Sequence, residues 1–306
     1  MIKNFKYLSI FKFILIVFIF CGCENKIQAD FPIADWSDVD YSGNNDISQK
    51  MDIYLPKNNN IKHPSVIVIY GSGWSSNNKK LSNYQKKVFV KPLAAKGFAT
   101  ISINHRSSNL DSVYPAQIHD VKAVIRFLRA KHEDYNLDIS FIGIAGYSSG
   151  GHLAALAGTS SNNPLVEGNV GNYLEYDSHV NAVVDFYGPT DLSVFYECPI
   201  TEDRNLTSEQ KMRVFGDVDN ISKVFDLANP IRYINKETPP FLIFHGEMDR
   251  TVPVCQSQLL HNALIENNIY SELVLKPDGD HCGNTLMYHH SKKMAEFFYD
   301  QYNNQL

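Results

Sequence analysis

The sequence predicts an α/β fold, in which a mostly parallel, twisted sheet carries helices on both faces. The alternation of two kinds of segment along the chain predicts it. Short apolar or alternating segments, which are typical of strands, take turns along the chain with segments of helical periodicity. Successive parallel strands need crossover connections, and these place helices on both faces of the sheet. The chain has 306 residues, of which 44% are hydrophobic, enough for one domain of roughly 270 residues.

The strands are predicted from apolar runs and from alternation of apolar and polar residues. These runs lie at residues 51–55, 65–70, 98–103, 139–145, 180–187, 240–245 and 271–275. Helices are predicted between and after them, at residues 84–96, 116–131, 149–158, 253–267 and 286–303. Two long segments, 159–179 and 192–236, are only weakly periodic and contain Pro, Asn and Gly throughout. We expect them to form a small cap over one end of the sheet.

The N-terminus has the layout of an export signal. Lysines precede an apolar run, FILIVFIF at 13–20, and CGC follows at 21–23. This run is shorter than the roughly 20 residues that a membrane-spanning helix needs. Small residues before Cys23 resemble a bacterial lipoprotein signal, in which the cysteine is acylated and becomes the first residue of the mature protein.

These features predict the organisation of the chain. Residues 1–22 are predicted to be a lipoprotein-type signal peptide, and Cys23 the lipidated residue. Residues 23–45 are polar and turn-rich and are predicted to be a tether to a domain at 46–306. The protein is therefore expected to be exported and anchored to a membrane, in the periplasm or at the cell surface, with plain secretion as the alternative.

The charge of the chain argues against nucleic-acid partners. The formal net charge is −5, and removal of the lysine-containing signal makes the remainder more acidic. Proteins that bind nucleic acid need a basic surface to neutralise phosphates. The sequence therefore predicts no nucleic-acid partner and membrane contact only through the lipid anchor, and it leaves the oligomeric state open.

Three cysteines, Cys198, Cys255 and Cys282, follow the N-terminal segment. At most one disulfide can form among them within one chain. Cys255 and Cys282 both lie near the candidate site described below and are the pair we would test for a disulfide, but we expect buried free thiols. The spacing of the cysteines matches no zinc pattern.

The segment GYSSG at 146–150 lies between a predicted strand and a predicted helix. A serine at such a sharp turn is held clear of the backbone, where it can attack a carbonyl carbon, but the residues two before and two after it must be very small. Gly146 and Gly150 satisfy this requirement around Ser148. For Ser149 the residue two positions before is Tyr147, which is too large, so Ser149 is excluded as the nucleophile. Ser148 is therefore the predicted nucleophile, and the backbone N–H of Ser149 is a predicted donor to an oxyanion.

A serine nucleophile needs a histidine base and an acid, and on this type of sheet they follow the serine in the order acid, then histidine. Asp249 follows the strand FLIF and His281 follows the strand SELVL. Loops at the carboxyl ends of parallel strands share one edge of the sheet. We therefore predict Ser148, Asp249 and His281 as a catalytic triad that works without metal or cofactor.

Other residues compete for these roles. Asp191 also follows a strand and is the alternative acid. His245 precedes the turn glycine and is expected to support its loop, and His152 is expected to point along the nucleophile helix. A metal site built on His281 and Asp280 lacks a third ligand at useful spacing.

The glycine-rich segment GSGW at 71–74 follows another predicted strand. Its exposed backbone N–H groups would supply a second donor to the oxyanion. An ordinary tight turn is the alternative.

The motifs around these candidates resemble a known family. The likeness is carried by YGSGW at 70–74, GYSSGGHLAAL at 146–156, DFYGPTDL at 185–192, PPFLIFHGEMDRTVPV at 239–254 and GDHCG at 279–283. MDIYLP at 51–56 and YPAQIHDVKAVIRFLRA at 114–130 are similar too, so the resemblance covers nearly everything from residue 46 onward. The family is the α/β-hydrolase serine esterases of the acetyl-xylan and feruloyl esterase (BD-FAE-like) type. Hormone-sensitive-lipase-like and kynurenine formamidase-like hydrolases are related to it.

The resemblance implies an α/β-hydrolase catalytic domain with Ser72, Gly73 and Ser149 as oxyanion donors. The family usually has His-Gly-Gly-Gly-Trp in its first oxyanion segment, and here Tyr70 and Ser72 replace the histidine and the middle glycine. Backbone donors survive a side-chain change, although Ser72 restricts φ and adds bulk.

The function expected from the resemblance is hydrolysis of short acyl esters, acetyl or feruloyl, on plant polysaccharides or oligosaccharides. Trp74 and Tyr187, next to strand ends, are candidate walls of the substrate pocket, with a core position as the alternative for each. A lipase or lysophospholipase is the enzymatic alternative and requires an apolar cap. A binding protein on a hydrolase fold is the non-enzymatic alternative and predicts the loss of triad residues, all of which are present.

Overall fold

The computed structural model describes residues 31–57, 61–75, 80–108, 112–195, 197–198, 214–216, 220–281 and 284–305. The predicted signal peptide and the predicted lipidation site Cys23 lie outside the described residues. Within the described ranges, no helix combines the length and the apolar character that crossing a membrane requires.

The strands form one eight-stranded sheet in the order β1-β2-β4-β3-β5-β6-β7-β8. They are β1 Trp36–Asp40, β2 Lys50–Tyr54, β3 His63–Ile69, β4 Ala99–Ile103, β5 Leu137–Tyr147, β6 Ala182–Phe186, β7 Phe241–Gly246 and β8 Ser271–Lys276. The pairs β1–β2 and β2–β4 are antiparallel, and the strands from β4 to β8 are parallel neighbours. The mostly parallel sheet that the sequence predicts is therefore confirmed.

Helices connect most of these strands. They are α1 Asn83–Gln85, a π-helical turn Lys86–Val90, α2 Lys91–Ala95, α3 Ala116–Lys131, α4 Ser149–Thr159, α5 Pro164–Glu167, α6 Ile221–Ala228, α7 Cys255–Glu266 and α8 Asn284–Asn303. Short 3₁₀ segments occupy Ile47–Gln49 and Pro230–Tyr233.

The apolar core lies on both faces of the sheet because neighbouring residues of a strand point to opposite faces. On β3, Ile67 and Ile69 belong to the core that also contains residues of α3 and α7. Val66 and Val68 belong to the core that contains residues of the π-helical turn and of α8. Helices thus cover both faces, as the alternation of elements predicts.

Strand β1 lies inside the segment 23–45, which the sequence predicts to be a tether. It pairs with β2, and the Trp36 ring packs edge-on against Tyr135 with 5.4 Å between ring centroids. The compact domain accordingly begins at Phe31 rather than at residue 46. The sequence pattern does not reveal this short edge strand. Its pairing register with β2 shifts between Trp36 and Val39, and Asp38 in between has φ of +57°. This irregularity interrupts the alternation of apolar and polar residues by which a strand is recognised.

The two weakly periodic segments lie at opposite ends of the sheet, not together over one end. Residues 159–179 lead from α4 into β6, and Glu167 accepts a hydrogen bond from Arg126 of α3 at 2.6 Å. Residues 192–236 leave the carboxyl end of β6, where the Tyr114 hydroxyl donates to the Leu227 carbonyl at 2.8 Å. Of the two, only the second segment can cover the carboxyl ends of the strands, and residues 196, 199–213 and 217–219 within it lie outside the described residues.

The disulfide joins Cys198 to Cys255, with 6.0 Å between their Cα atoms. Both the expectation of free buried thiols and the pairing of Cys255 with Cys282 are therefore wrong for Cys255, and Cys282 itself lies outside the described residues. Gln256 of α7 explains the pairing. Its amide donates to the Asp191 carbonyl at 3.0 Å and accepts from the Thr190 N–H at 2.7 Å, so it holds the chain that leads to Cys198 against the start of α7.

Candidate active site

The turn between β5 and α4 holds Ser148 in an unusual backbone conformation. Ser148 has φ of +54° and ψ of −127°, a region that L-residues rarely adopt. A Cβ atom on Gly146 would lie 2.1 Å from the Gly150 carbonyl oxygen, and one on Gly150 would lie 2.3 Å from the Ile69 carbonyl oxygen. These contacts are the physical reason for the small residues on both sides of the serine, and they place Ser148, not Ser149, at the tip of the turn.

Gly146→Ala is expected to lower the free energy of unfolding by about 3 kcal/mol, because the new methyl group would overlap backbone atoms that cannot rotate away. Urea denaturation measures the change. Gly97→Ala is the matched control: Gly97 has φ of +88° but open space around its Cα, so only backbone strain of about 1 kcal/mol is expected. Equal losses of unfolding free energy in Gly146→Ala and Gly97→Ala would contradict the explanation that backbone crowding at the turn requires a glycine at 146.

Three side chains from distant parts of the sequence meet at this edge of the sheet. The Ser148 hydroxyl donates to Nε2 of His281 at 2.9 Å, and Nδ1 of His281 donates to Oδ2 of Asp249 at 2.7 Å. The loops after β7 and β8 are tied together, because the Met248 N–H donates to the Gly279 carbonyl at 2.9 Å. The proton on Nδ1 leaves a lone pair on Nε2, which is the atom that must accept the serine proton.

Asp249 is surrounded by hydrogen-bond donors. Its Oδ1 accepts from the N–H groups of Thr251 at 2.8 Å and Val252 at 2.9 Å. Its Oδ2 lies 2.7 Å from Nδ1 of His281 and 3.3 Å from Nε2 of His245. Burial alone would raise the pKa of Asp249, but the hydrogen bonds from the two imidazoles outweigh it and lower the pKa to about 2. The carboxylate is therefore ionised at neutral pH and can stabilise an imidazolium.

His245 is the member of this cluster that sequence reasoning did not assign to Asp249. Its Nε2 also lies 3.0 Å from the Val252 carbonyl, and its Nδ1 lies 2.6 Å from the Ser257 hydroxyl. A carbonyl only accepts, so Nε2 carries the proton. The four-residue spacing of His245 and Asp249 across the end of β7 is the signal that points to this contact.

The stability of the protein is expected to depend on Asp249 at acid pH. A carboxyl with a lowered folded pKa contributes stability above its unfolded pKa, and that contribution is lost as the pH falls through the folded pKa. With the pKa lowered from 3.8 to about 2, the contribution is about 2 kcal/mol at neutral pH and disappears between about pH 4 and pH 2. The gap in unfolding free energy between the wild type and Asp249→Asn should therefore narrow on acidification. Asp300→Asn, which changes an exposed carboxylate, is the control, and the same narrowing of this gap in both variants would contradict the prediction.

The loop after β3 lies directly against the nucleophile. A Cβ atom on Gly71 would lie 2.8 Å from Cβ of Ser148. Of the three predicted oxyanion donors, Ser72 is already engaged, because its single N–H donates to the Ser149 hydroxyl at 2.9 Å. For the N–H groups of Gly73 and Ser149 the described part of the chain supplies no acceptor. These two remain the candidate donors, and Ser72 instead ties the loop to α4.

The structure buries both aromatic residues that were predicted to wall the substrate pocket. Trp74 is 8% exposed, and its indole N–H donates to Nδ1 of His152 at 3.2 Å while its ring packs against Phe215. Tyr187 is 3% exposed, and its ring centroid lies 4.8 Å from that of His281. Trp74 is thus a core residue beneath the 192–236 segment, and Tyr187 supports the imidazole.

The competing residues have other partners. Oδ1 of Asp191 accepts from the N–H and the hydroxyl of Ser193. His152 is fully buried between Trp74 and the Ala228 carbonyl, and burial lowers its pKa to about 4, so it stays neutral. Across the described ranges, no group of three or more His, Cys, Asp or Glu side chains is arranged to hold a metal ion.

The fold and this arrangement of serine, histidine and carboxylate are those of an α/β-hydrolase. Comparison with known proteins narrows the class. Residues 51–264 match the BD-FAE family, and the chain belongs to that family.

Individual relatives agree with this assignment. A solved structure, a truncated form of a carbohydrate esterase from gut microbiota, superimposes with a TM-score of 0.80 at 38% identity over 90% of this chain and 98% of that one. Esterase LipC of Mycobacterium tuberculosis is 33% identical over 70% of this chain. An acetylxylan esterase of Xylanibacter ruminicola is 24% identical over 76% of this chain. The chain spans 51% and 43% of the lengths of these last two relatives.

Proposed function

We propose that this protein is an exported serine esterase that removes short acyl groups, acetyl or feruloyl, from plant polysaccharides or oligosaccharides. The observation that carries the proposal is the continuous hydrogen-bond chain from the Ser148 hydroxyl through His281 to Asp249 at the carboxyl edge of the sheet. Similarity to a carbohydrate esterase and to an acetylxylan esterase supports carbohydrate as the alcohol part of the substrate.

The geometry supports an acyl-enzyme mechanism. Ser148 attacks the ester carbonyl carbon and transfers its proton to Nε2 of His281, while Asp249 stabilises the imidazolium. The N–H groups of Gly73 and Ser149 receive the negative charge that develops on the carbonyl oxygen. His281 then returns the proton to the sugar oxygen as the C–O bond breaks. In the second half, His281 removes a proton from water as the water oxygen attacks the acyl carbon. His281 then returns that proton to the Ser148 oxygen as the bond between this oxygen and the acyl carbon breaks and the acid leaves.

Export and anchoring through Cys23 are part of the same proposal. The N-terminal layout of lysines, apolar run and cysteine supports it. The Cys198–Cys255 disulfide supports it independently, since disulfides persist mainly in oxidising compartments outside the cytosol. Mass spectrometry of the mature protein from a bacterial host tests the anchor. An acylated N-terminal Cys23, absent from Cys23→Ser, is expected, and an uncleaved N-terminus would contradict it.

An ester panel tests the activity. Short- and long-chain nitrophenyl esters, acetylated xylo-oligosaccharides and a feruloyl ester are assayed with the wild type and with Ser148→Ala. We expect turnover of the short acyl esters and of the acylated sugars, and its loss in Ser148→Ala. Preference for long acyl chains would favour a lipase, and a folded protein that turns over no ester would favour a binding protein.

A further inference from the structure

The burial of Trp74 and Tyr187 leaves a different pair of aromatic side chains beside the nucleophile. Tyr70 and Tyr147 are both partly exposed. Tyr70 directly precedes Gly71 on the loop that lies against Ser148, and Tyr147 directly precedes Ser148 itself. The two rings contact each other edge to face, with 5.5 Å between centroids and 75° between planes. A Cβ atom on Gly71 would lie 2.8 Å from both Cδ2 of Tyr147 and Cβ of Ser148, so this tyrosine pair borders the nucleophile.

The Tyr147 ring is held rigidly in this position. Phe89 stacks on it with 6.3 Å between centroids and 17° between planes. The Tyr147 hydroxyl accepts from Nε2 of Gln85 at 2.5 Å. The orientation of the Gln85 amide is fixed, because its Oε1 accepts from the Ser82 N–H at 2.8 Å and its NH₂ group must therefore face Tyr147. Both the plane and the hydroxyl of Tyr147 are thus set before any substrate binds, which lowers the entropy cost of binding.

The chemistry of the pair favours a sugar over an acyl chain. A pyranose ring has an apolar face of C–H groups and a rim of hydroxyls, and a tyrosine offers an apolar face with one hydroxyl at its edge. The Tyr147 hydroxyl is already bonded to Gln85, but an alkyl chain would cover the rings without offering any polar group to the hydroxyl of Tyr70, which a sugar hydroxyl can do. Tyr70 stands where the family motif usually has histidine, so half of the pair is a property of this chain.

We propose that Tyr70 and Tyr147 form a platform that binds the sugar ring whose ester Ser148 cleaves. This inference rests on the proposed carbohydrate esterase function and adds the residues that select the alcohol part of the substrate.

Two acetate esters that differ only in the alcohol test the platform. Acetylated xylobiose presents a sugar to the tyrosine pair, and ethyl acetate presents only an ethyl group. The measured quantity is the ratio of kcat/KM for the two substrates. In Tyr70→Ala this ratio is expected to fall about tenfold, because one aromatic contact is lost, and most of the change should be a higher KM for the sugar ester. Tyr147→Phe keeps the ring and removes the hydroxyl, so a smaller fall is expected.

Tyr176→Ala is the matched control, since Tyr176 is 39% exposed and lies in the segment before β6, at the opposite end of the sheet. Its ratio should equal that of the wild type. If the wild type cleaves acetylated xylobiose and Tyr70→Ala keeps the wild-type ratio, the platform is overturned and the esterase function stands. If no ester is cleaved, the proposed function is overturned, and calorimetry with xylotriose decides the platform. Equal binding to the wild type and to Tyr70→Ala, or no binding to either, would then overturn it.

Discussion

Replacement of Asp249 by asparagine is expected to lower kcat for ester hydrolysis about 10⁴-fold, the loss typical of a triad whose histidine is held in the wrong tautomer. The reason lies in the contacts of the carboxylate. Because Oδ1 accepts from the N–H groups of Thr251 and Val252, an asparagine at this position must keep its carbonyl oxygen there. Its NH₂ group then takes the place of Oδ2 and donates to Nδ1 of His281. The imidazole proton moves to Nε2, which can no longer accept the proton of Ser148.

Steady-state kinetics from pH 5 to pH 9 and circular dichroism of the purified variant check this expectation. The fold should be retained, because the two backbone hydrogen bonds to Oδ1 survive. Asp191→Asn is the control, since Asp191 is the rival acid in sequence and its carboxylate contacts Ser193 instead of a histidine. A large loss in Asp191→Asn combined with wild-type activity in Asp249→Asn would reverse the assignment of the acid.

The parts of the site that local sequence determines are predictable. An apolar run, two small residues around a serine and a helix-forming stretch define β5, the turn and α4, and each follows from the space available around Ser148. Asp249 and His281 each follow a strongly apolar or β-branched strand. Because parallel strands end at a common edge, the two loops are expected to meet there, and the structure brings the residues within hydrogen-bonding distance.

The parts that depend on contacts between distant segments are not predictable in this way. The position of Ser72 after β3 favours an oxyanion donor, but its N–H donates to the side chain of Ser149 at the start of α4. Trp74 is the last residue of the glycine-rich segment 71–74, yet its ring packs against His152 and Phe215. The pairing of Cys255 depends on the path of the chain after β6, and no local pattern in the sequence specifies that path.

Removal of the Cys198–Cys255 disulfide is expected to lower the free energy of unfolding by about 4 kcal/mol. The two cysteines are separated by 57 residues, and closing a loop of that length in the unfolded chain removes about that much conformational entropy at room temperature. The comparison is between the wild type and the double variant Cys198→Ser with Cys255→Ser, by urea denaturation. Dithiothreitol should lower the stability of the wild type to that of the double variant and should leave the double variant unchanged.

The disulfide also joins the start of the 192–236 segment to α7, close to the loop that carries Asp249. The triad hydrogen bonds do not involve either cysteine. If the disulfide holds the 192–236 segment over the site, removal of the disulfide should therefore raise KM more than it lowers kcat. Peptide mapping under non-reducing conditions identifies the pairing directly. A peptide that joins Cys255 to Cys282 would restore the pairing that the sequence suggested, and a stability insensitive to dithiothreitol would show that the bridge does not restrain the unfolded chain.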